Sequence, residues 1–211
     1  MIRISRSVHQ NTEMRTFALP ILRKIVDQCN ETATLTLYDP PTHQIIFSDQ
    51  VQSEQSILYK TRLGIRLPIH SGASGKVIMA FLPEEGIEEI FASGLERVTD
   101  RTIVDPHRLR KQLAEIRGKG YALSHGEREP EAVGIACPIF DFGSSVIGSI
   151  VVTIPSFRFR PQMEGQILPL VQEGADWLSY LNGFRRNFKK TPHLSGRWRS
   201  PSPVRESKQT T

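Results

Sequence analysis

At 211 residues, with 38% hydrophobic content and a formal net charge of +5, the chain can hold one domain with a full core and short extra segments. It has no run of roughly 18 apolar residues and no apolar signal region at its start, which argues against a membrane partner and for a cytoplasmic protein. Cys29 and Cys137 lie far apart without a paired motif, so neither a disulfide framework nor a zinc site is expected.

Residues 1–19 are mixed in polarity and lack the two helices, glycine turn and wing of a helix-turn-helix, so no DNA-reading module is expected there. Pro20 suits the first turn of a helix running to about Asn30, with Leu22, Ile25, Val26 and Cys29 as its apolar stripe. Ala33 to Tyr38 alternates as a strand, Asp39-Pro40-Pro41-Thr42 turns it, and His43 to Val51 returns as a hairpin. A third extended piece is expected at Ser56 to Arg62. A loop from Leu67 to Lys76 then feeds a helix from Val77 to Leu82 that Pro83 stops. Gly72, Ala73, Ser74 and Gly75 either leave backbone N–H groups open to an anion or belong to an ordinary cap by Ser71 or Ser74. Short and longer helices follow at Glu84 to Ala92 and Pro106 to Lys119, the second ended by Gly118-Lys119-Gly120.

The stretch Gly120 to Pro155 reads as a short strand, an acidic loop from Gly126 to Glu131, and two longer strands joined by Asp141-Phe142-Gly143-Ser144-Ser145. Alternation puts Val133, Ile135, Cys137, Gly148, Ile150, Val152 and Ile154 toward one apolar face. Ala132, Gly134, Ala136, Ile147, Ser149, Val151 and Thr153 fall on the other, where the residues are mostly small or faintly polar. Small residues fill a core poorly, so that face is covered either by a ligand cavity or by a helix backbone packed close. Pro161 to Leu181 is helical in pattern, with Pro169 near its start or kinking it. From Phe184 onward eight Lys or Arg accompany one acidic residue, so the positive charge belongs to this tail and the rest is slightly acidic. Residues 184–211 are too polar to fold alone; they are a solvated end or a weak nucleic-acid contact.

The element order lacks regular βαβ alternation, which predicts an α+β fold: an antiparallel sheet of about six strands covered by helices. Catalysis has little support. Glu127, Glu129 and Glu131 read as a solvated charge run. His70, His125 and Cys137 could be imagined as base and nucleophile, yet nothing fixes them together and Cys137 points away from the small-residue face. No metal-ligand or phosphate-loop motif is present. The chain is therefore read as no enzyme, with no cofactor.

In Gly120 to Asp141, the spacing of Gly120, Ser124, Glu127, Ile135, Ala136, Ile139, Phe140 and Asp141 resembles the signature of the effector-binding domain of IclR-type bacterial transcriptional regulators. Arg66 to Lys76 resembles the family's loop into its first pocket helix, and Thr102 to Pro106 with Gly118 to Tyr121 fits between. The resemblance covers about residues 15 to 183. It implies a GAF-like or profilin-like sheet, a small organic or aromatic acid as effector, and a homodimer or homotetramer. It further implies a regulator that contacts DNA only through a winged helix-turn-helix missing from this chain. The expected organisation is a remnant linker helix at 1–19, an effector-binding domain at 20–183 and a basic tail at 184–211. The expected effector site is Gly72, Ala73, Met79, Ser124, Ala132, Gly134, Val151 and Thr153. Where the family often has Cys, Ser or Ala this chain has Gly134, and Val151 and Thr153 replace a frequent serine pair; this implies a roomier, less polar pocket. The alternative reading is a stand-alone oligomerisation partner, or a weak nucleic-acid binder through the tail.

Overall fold

A computed structural model describes residues 3–57 and 61–185, with the side chains of the first helix from Met14 onward. Residues 186–211, most of the expected tail, lie outside the described residues, as do 58–60 within the third extended piece. The elements in order are α1 (Arg3–Cys29), β1 (Thr32–Asp39), β2 (Gln44–Val51), β3 (Arg66–Pro68), α2 (Gly72–Met79), α3 (Glu84–Ala92), α4 (Pro106–Lys119), β4 (Ala122–His125), β5 (Ala132–Phe140), β6 (Val146–Pro155) and α5 (Pro161–Leu181). The strands form one antiparallel sheet in the order β3-β2-β1-β6-β5-β4, so the architecture is α+β.

Strand alternation divides the molecule into two cores. On one face Leu35, Ile135, Cys137, Ile150, Val152 and Ile154 pack under α1 and α5. On the other, Ala136 and Val151 pack with Val77, Ile78 and Met79 of α2 and with Leu109 and Leu113 of α4. The helices on the first face approach closely: a Cβ on Gly174 of α5 would sit 2.9 Å from Ile21 and 3.0 Å from Ile25 of α1. One residue departs from the expected alternation. Phe140 pairs with Val146 and Ile139 with Gly148, which leaves Ile147 as an extra residue in β6. That bulge reverses the alternation locally, so Ile147 packs against the α1/α5 core and Val146 against the other.

Helix α4 is delimited by its sequence. The Asp105 carboxylate accepts the Arg108 N–H at 2.7 Å, Pro106 opens the first turn, and Gly120 closes the end at φ +81. The Asp141 turn is similar, its Oδ1 accepting from the N–H groups of Gly143 and Ser145.

Three expected boundaries are corrected. Helix α1 runs through Pro20 rather than starting there. An internal proline costs about 3 kcal/mol or more. Ile21, Leu22 and Ile25, all fully buried on the stripe that Met14 and Ala18 begin, each return about 1.5–3 kcal/mol, so packing wins. The third strand is Arg66–Pro68, not Ser56–Arg62: Gly64, at φ +78, donates to the Phe47 carbonyl at 2.9 Å and turns the chain back beside β2. Finally, α2 begins at Gly72, five residues before the expected Val77. A Cβ on Gly75 would lie 2.0 Å from the Ile69 carbonyl oxygen, so the glycine-rich segment is helix lying against its own entry turn. Pro169 is internal to α5, whose first turn is opened by Pro161.

Candidate functional site

At the N-terminal end of α2 the small-residue face opens into a cavity of about 290 Å³. Its floor is Ala132 and Gly134 of β5 with Val151 and Thr153 of β6, and Gly134 pairs with Ser124 on one side and Thr153 on the other. One wall is the first turn of α2, Gly72, Ala73 and Ser74; the opposite side is Phe47, Ile65, Leu67 and Pro68. The β4–β5 loop contributes Glu127, Arg128 and Glu129, and Thr61, Arg62 and Val98 complete the rim.

The floor is small where the helix comes down on it. A Cβ on Gly134 would meet the Ala73 Cβ at 3.2 Å and Ser124 Oγ at 3.3 Å. Ser124 Oγ accepts the Ala73 N–H at 2.9 Å, and Ser149 Oγ donates to the Ser74 carbonyl at 3.1 Å. The first of these takes up one N–H of the α2 terminus. Ser71, although it occupies the N-cap position, makes no capping hydrogen bond with its side chain. The small face is thus covered by a helix in one place and open in another: Ala136 and Ser149 lie beneath α2, and Ala132, Gly134, Val151 and Thr153 border the cavity.

Two cations lie at the β4–β5 loop. Lys76, fully buried on α2, donates to Gln112 Oε1 at 2.9 Å and to Glu127 Oε1 in a short contact. Burial pushes its ammonium below the usual lysine range, and Glu127 partly offsets this. Glu127 Oε2 has no hydrogen-bond partner. The loop carrying it is held by Thr99 Oγ1 on the Gly126 carbonyl at 2.7 Å and Thr102 Oγ1 on the Glu127 carbonyl at 2.8 Å. Arg128 Nη2 donates to the carbonyls of Pro68 (2.8 Å) and Ser71, while Nε and Nη1 are shielded from solvent and unmet. The guanidinium carbon lies 5.5 Å from the centre of the Phe47 ring. Burial pulls this group's pKa down to about 10, so it remains a cation at neutral pH.

The imagined catalytic residues do not meet. His70 is buried and donates from Nε2 to the Glu96 carbonyl at 2.8 Å. His125 is exposed, edge-on to Phe159. Cys137 lies on the opposite face of the sheet, its thiol driven far above its ordinary range by burial. Among the described residues no group of three or more His, Cys, Asp or Glu could hold a metal ion, and no helix is long and apolar enough to cross a membrane.

Residues 6–180 match the family described as bacterial transcriptional regulator IclR, C-terminal. The chain belongs to the IclR family. It is similar to the acetate operon repressor of Salmonella typhimurium, 33% identical over 187 residues that cover 87% of this chain and 67% of the repressor. The crystal structure of the Thermotoga maritima IclR superposes with a TM-score of 0.77 at 30% identity, covering 81% of this chain and 69% of that one. The inducer-binding domain of a PobR transcription factor double mutant from Acinetobacter, in complex with 3-hydroxybenzoic acid, gives a TM-score of 0.69 at 29% identity and covers 78% and 96%. The chain spans 58% and 57% of two other curated regulators that it matches.

In this IclR-family domain, Gly72, Ala73, Ser124, Ala132, Gly134, Val151 and Thr153 come together around one cavity. Met79 does not. Because α2 starts at Gly72, Met79 lies seven residues along it, about 10 Å from the mouth at 1.5 Å per residue, fully buried in the second core. Arg128 was missed in the sequence, as were Phe47 and Leu67 across the cavity. The signal for Arg128 is a lone cation between Glu127 and Glu129. The acidic run is likewise not uniformly solvated, since Glu127 is buried against Lys76 while Glu129 and Glu131 are exposed.

Proposed function

We propose that this IclR-type effector-binding domain senses a small organic or aromatic acid in the cavity at the α2 terminus, and that binding biases an oligomer, a dimer or tetramer, of a cytoplasmic transcriptional regulator. The observation that carries the reading is the cavity itself: apolar walls, a few placed hydroxyls and a cation with unmet donors, with no nucleophile–base pair among the described residues that line it. Its volume of about 290 Å³ suits a single ring or a short acid, since about 150 Å³ already accommodates benzene. The 3-hydroxybenzoic acid held by the related inducer-binding domain supports an aromatic acid as one candidate class. A ligand shifts an equilibrium only by its difference in affinity for the two states. The short α2, joined to β4 by the Ala73–Ser124 bond, is the element such a ligand would bias. No catalytic turnover is part of this reading.

A thermal-shift screen against small acids, aromatic acids and sugar acids tests it. A ligand at one hundred times its Kd adds about 2.7 kcal/mol and raises Tm by several degrees. A reproducible, saturable shift is expected from one class. A cooperative melt unmoved by the whole panel would contradict sensing and favour a domain kept for association alone.

A further inference from the structure

Resting on the oligomer of that reading, we propose that the outer face of α3 and α4 is the surface on which a second copy of this chain docks, the acidic helix of each copy lying against the basic helix of the other. The two helices are opposite in charge. Helix α3 carries Glu84, Glu85, Glu88 and Glu89 and no Lys or Arg, whereas α4 carries Arg108, Arg110, Lys111, Arg117 and Lys119 against Glu115 alone. Within the chain Arg110 meets Glu84 and Glu88, and His43 meets Glu89 at 2.7 Å. Other charges of the face are left over: Glu85, Arg108 and Lys111 are exposed, and their side chains make no hydrogen bond or ion pair with the described residues. Helix dipoles account for part of the pattern, since Glu84 and Glu85 sit at an N-terminus and Arg117 and Lys119 at a C-terminus. They do not account for Arg108, in the first turn of α4, where the dipole opposes its charge.

The juxtaposition of the two signs selects the partner. A nucleic acid drawn to α4 would lie beside the carboxylates of α3, and a basic protein drawn to α3 would lie beside Arg108 and Lys111; each is repelled by half of the face. A copy of this chain, turned about a twofold axis running along the helices, sets α3 on α4 and α4 on α3 at once, as a self-complementary interface requires. The groove between the helices has Ile87, Leu113, Ala114 and Gly118 in its lining, and the space over Gly118 is open. Apolar contact there adds to the charges, which alone are worth little at an exposed surface. The face is also joined to the sensing site. Leu109 and Leu113 of α4 pack in one core with Val77 and Met79 of α2, and Gln112 accepts from Lys76 at 2.9 Å, which gives a ligand that biases α2 a packed route to the interface.

Sedimentation equilibrium of the full chain tests this with the wild type, Glu85→Lys, Lys111→Glu and an equimolar mixture of the two variants. The wild type is expected to associate, and to do so less at about 0.5 M salt than at about 0.05 M, because exposed charges are screened. Each variant alone places like charges in both halves of a twofold contact and should weaken association by about tenfold or more. The mixture should return to within about threefold of the wild type, since a mixed pair again sets opposite charges in both halves. A tetramer that falls to dimers in each variant and recovers in the mixture supports the proposal equally. Unchanged association in either variant, or a mixture no stronger than its components, overturns it and leaves an oligomer formed through another face. Wild-type association that ignores salt overturns it without any variant. A wild type that stays monomeric at every concentration removes the oligomer and this interface together.

Discussion

The two faces of the sheet are built from neighbouring residues of the same strands and behave oppositely. Val152 faces α1 and α5 in a core with no exposed surface, and Val151, one residue earlier, borders the cavity on the other side. The first face is closed by two long helices with large aliphatic side chains between them. The second is covered by an eight-residue helix whose first turn stops over glycine and alanine. Stability is concentrated on one side so that room can be left on the other, in line with the lower local stability that binding regions generally show.

The largest expected effect comes from the charge pair buried between α2 and the β4–β5 loop. Lys76→Met leaves the Glu127 carboxylate buried without its cation, and chemical denaturation should show a loss of about 3–5 kcal/mol. Adding Glu127→Gln should recover much of it, and a double-mutant cycle measures the coupling. Full additivity of the two changes would mean that the pair does not interact.

Next is the valine comparison itself. Val152→Ala should cost about 2–3 kcal/mol, because the dry face cannot collapse around the void. Val151→Ala should cost about 1 kcal/mol less, since that side chain already borders empty space. Equal losses in urea unfolding would deny that the two faces differ in packing.

How far this contrast was legible depended on whether the signal was local. Period-two alternation assigned Ile135, Cys137, Ile150, Val151 and Thr153 to their faces, and Pro106 with Gly120 marked the ends of α4. What failed depended on contacts distant in sequence. Gly72 to Gly75 read as loop because glycines disfavour helix, while their purpose is to admit the Ile69 carbonyl and the Arg128 side chain. Pro20 read as a start because the burial that carries α1 through it is supplied partly by α5. Arg128 was hidden in an acidic run whose members face different ways once the loop folds.

A smaller, pH-dependent effect should come from His70. Burial holds its imidazole below the ordinary value of 6.5. On falling pH the unfolded chain therefore takes up the proton first, so stability present above about pH 6.5 is lost as pH drops toward the folded-state value. His70→Gln should flatten stability between about pH 7 and 5. An unchanged slope in thermal melts across that range would assign the pH dependence elsewhere.

The largest expected change in binding comes at Gly134, where a larger side chain also costs about 1–3 kcal/mol of stability through overpacking. A leucine there would press on Ala73 and Ser124, which a Cβ alone already meets at 3.2 and 3.3 Å, and would take up room on the cavity lining. The most direct measurement is a thermal-shift titration of the wild type and Gly134→Leu side by side, with whichever acid the screen selects. A saturable rise in the wild type that is absent from a cooperatively folded Gly134→Leu is the predicted result. Equal shifts in both proteins would mean that the ligand binds elsewhere and that the small-residue face is only packing.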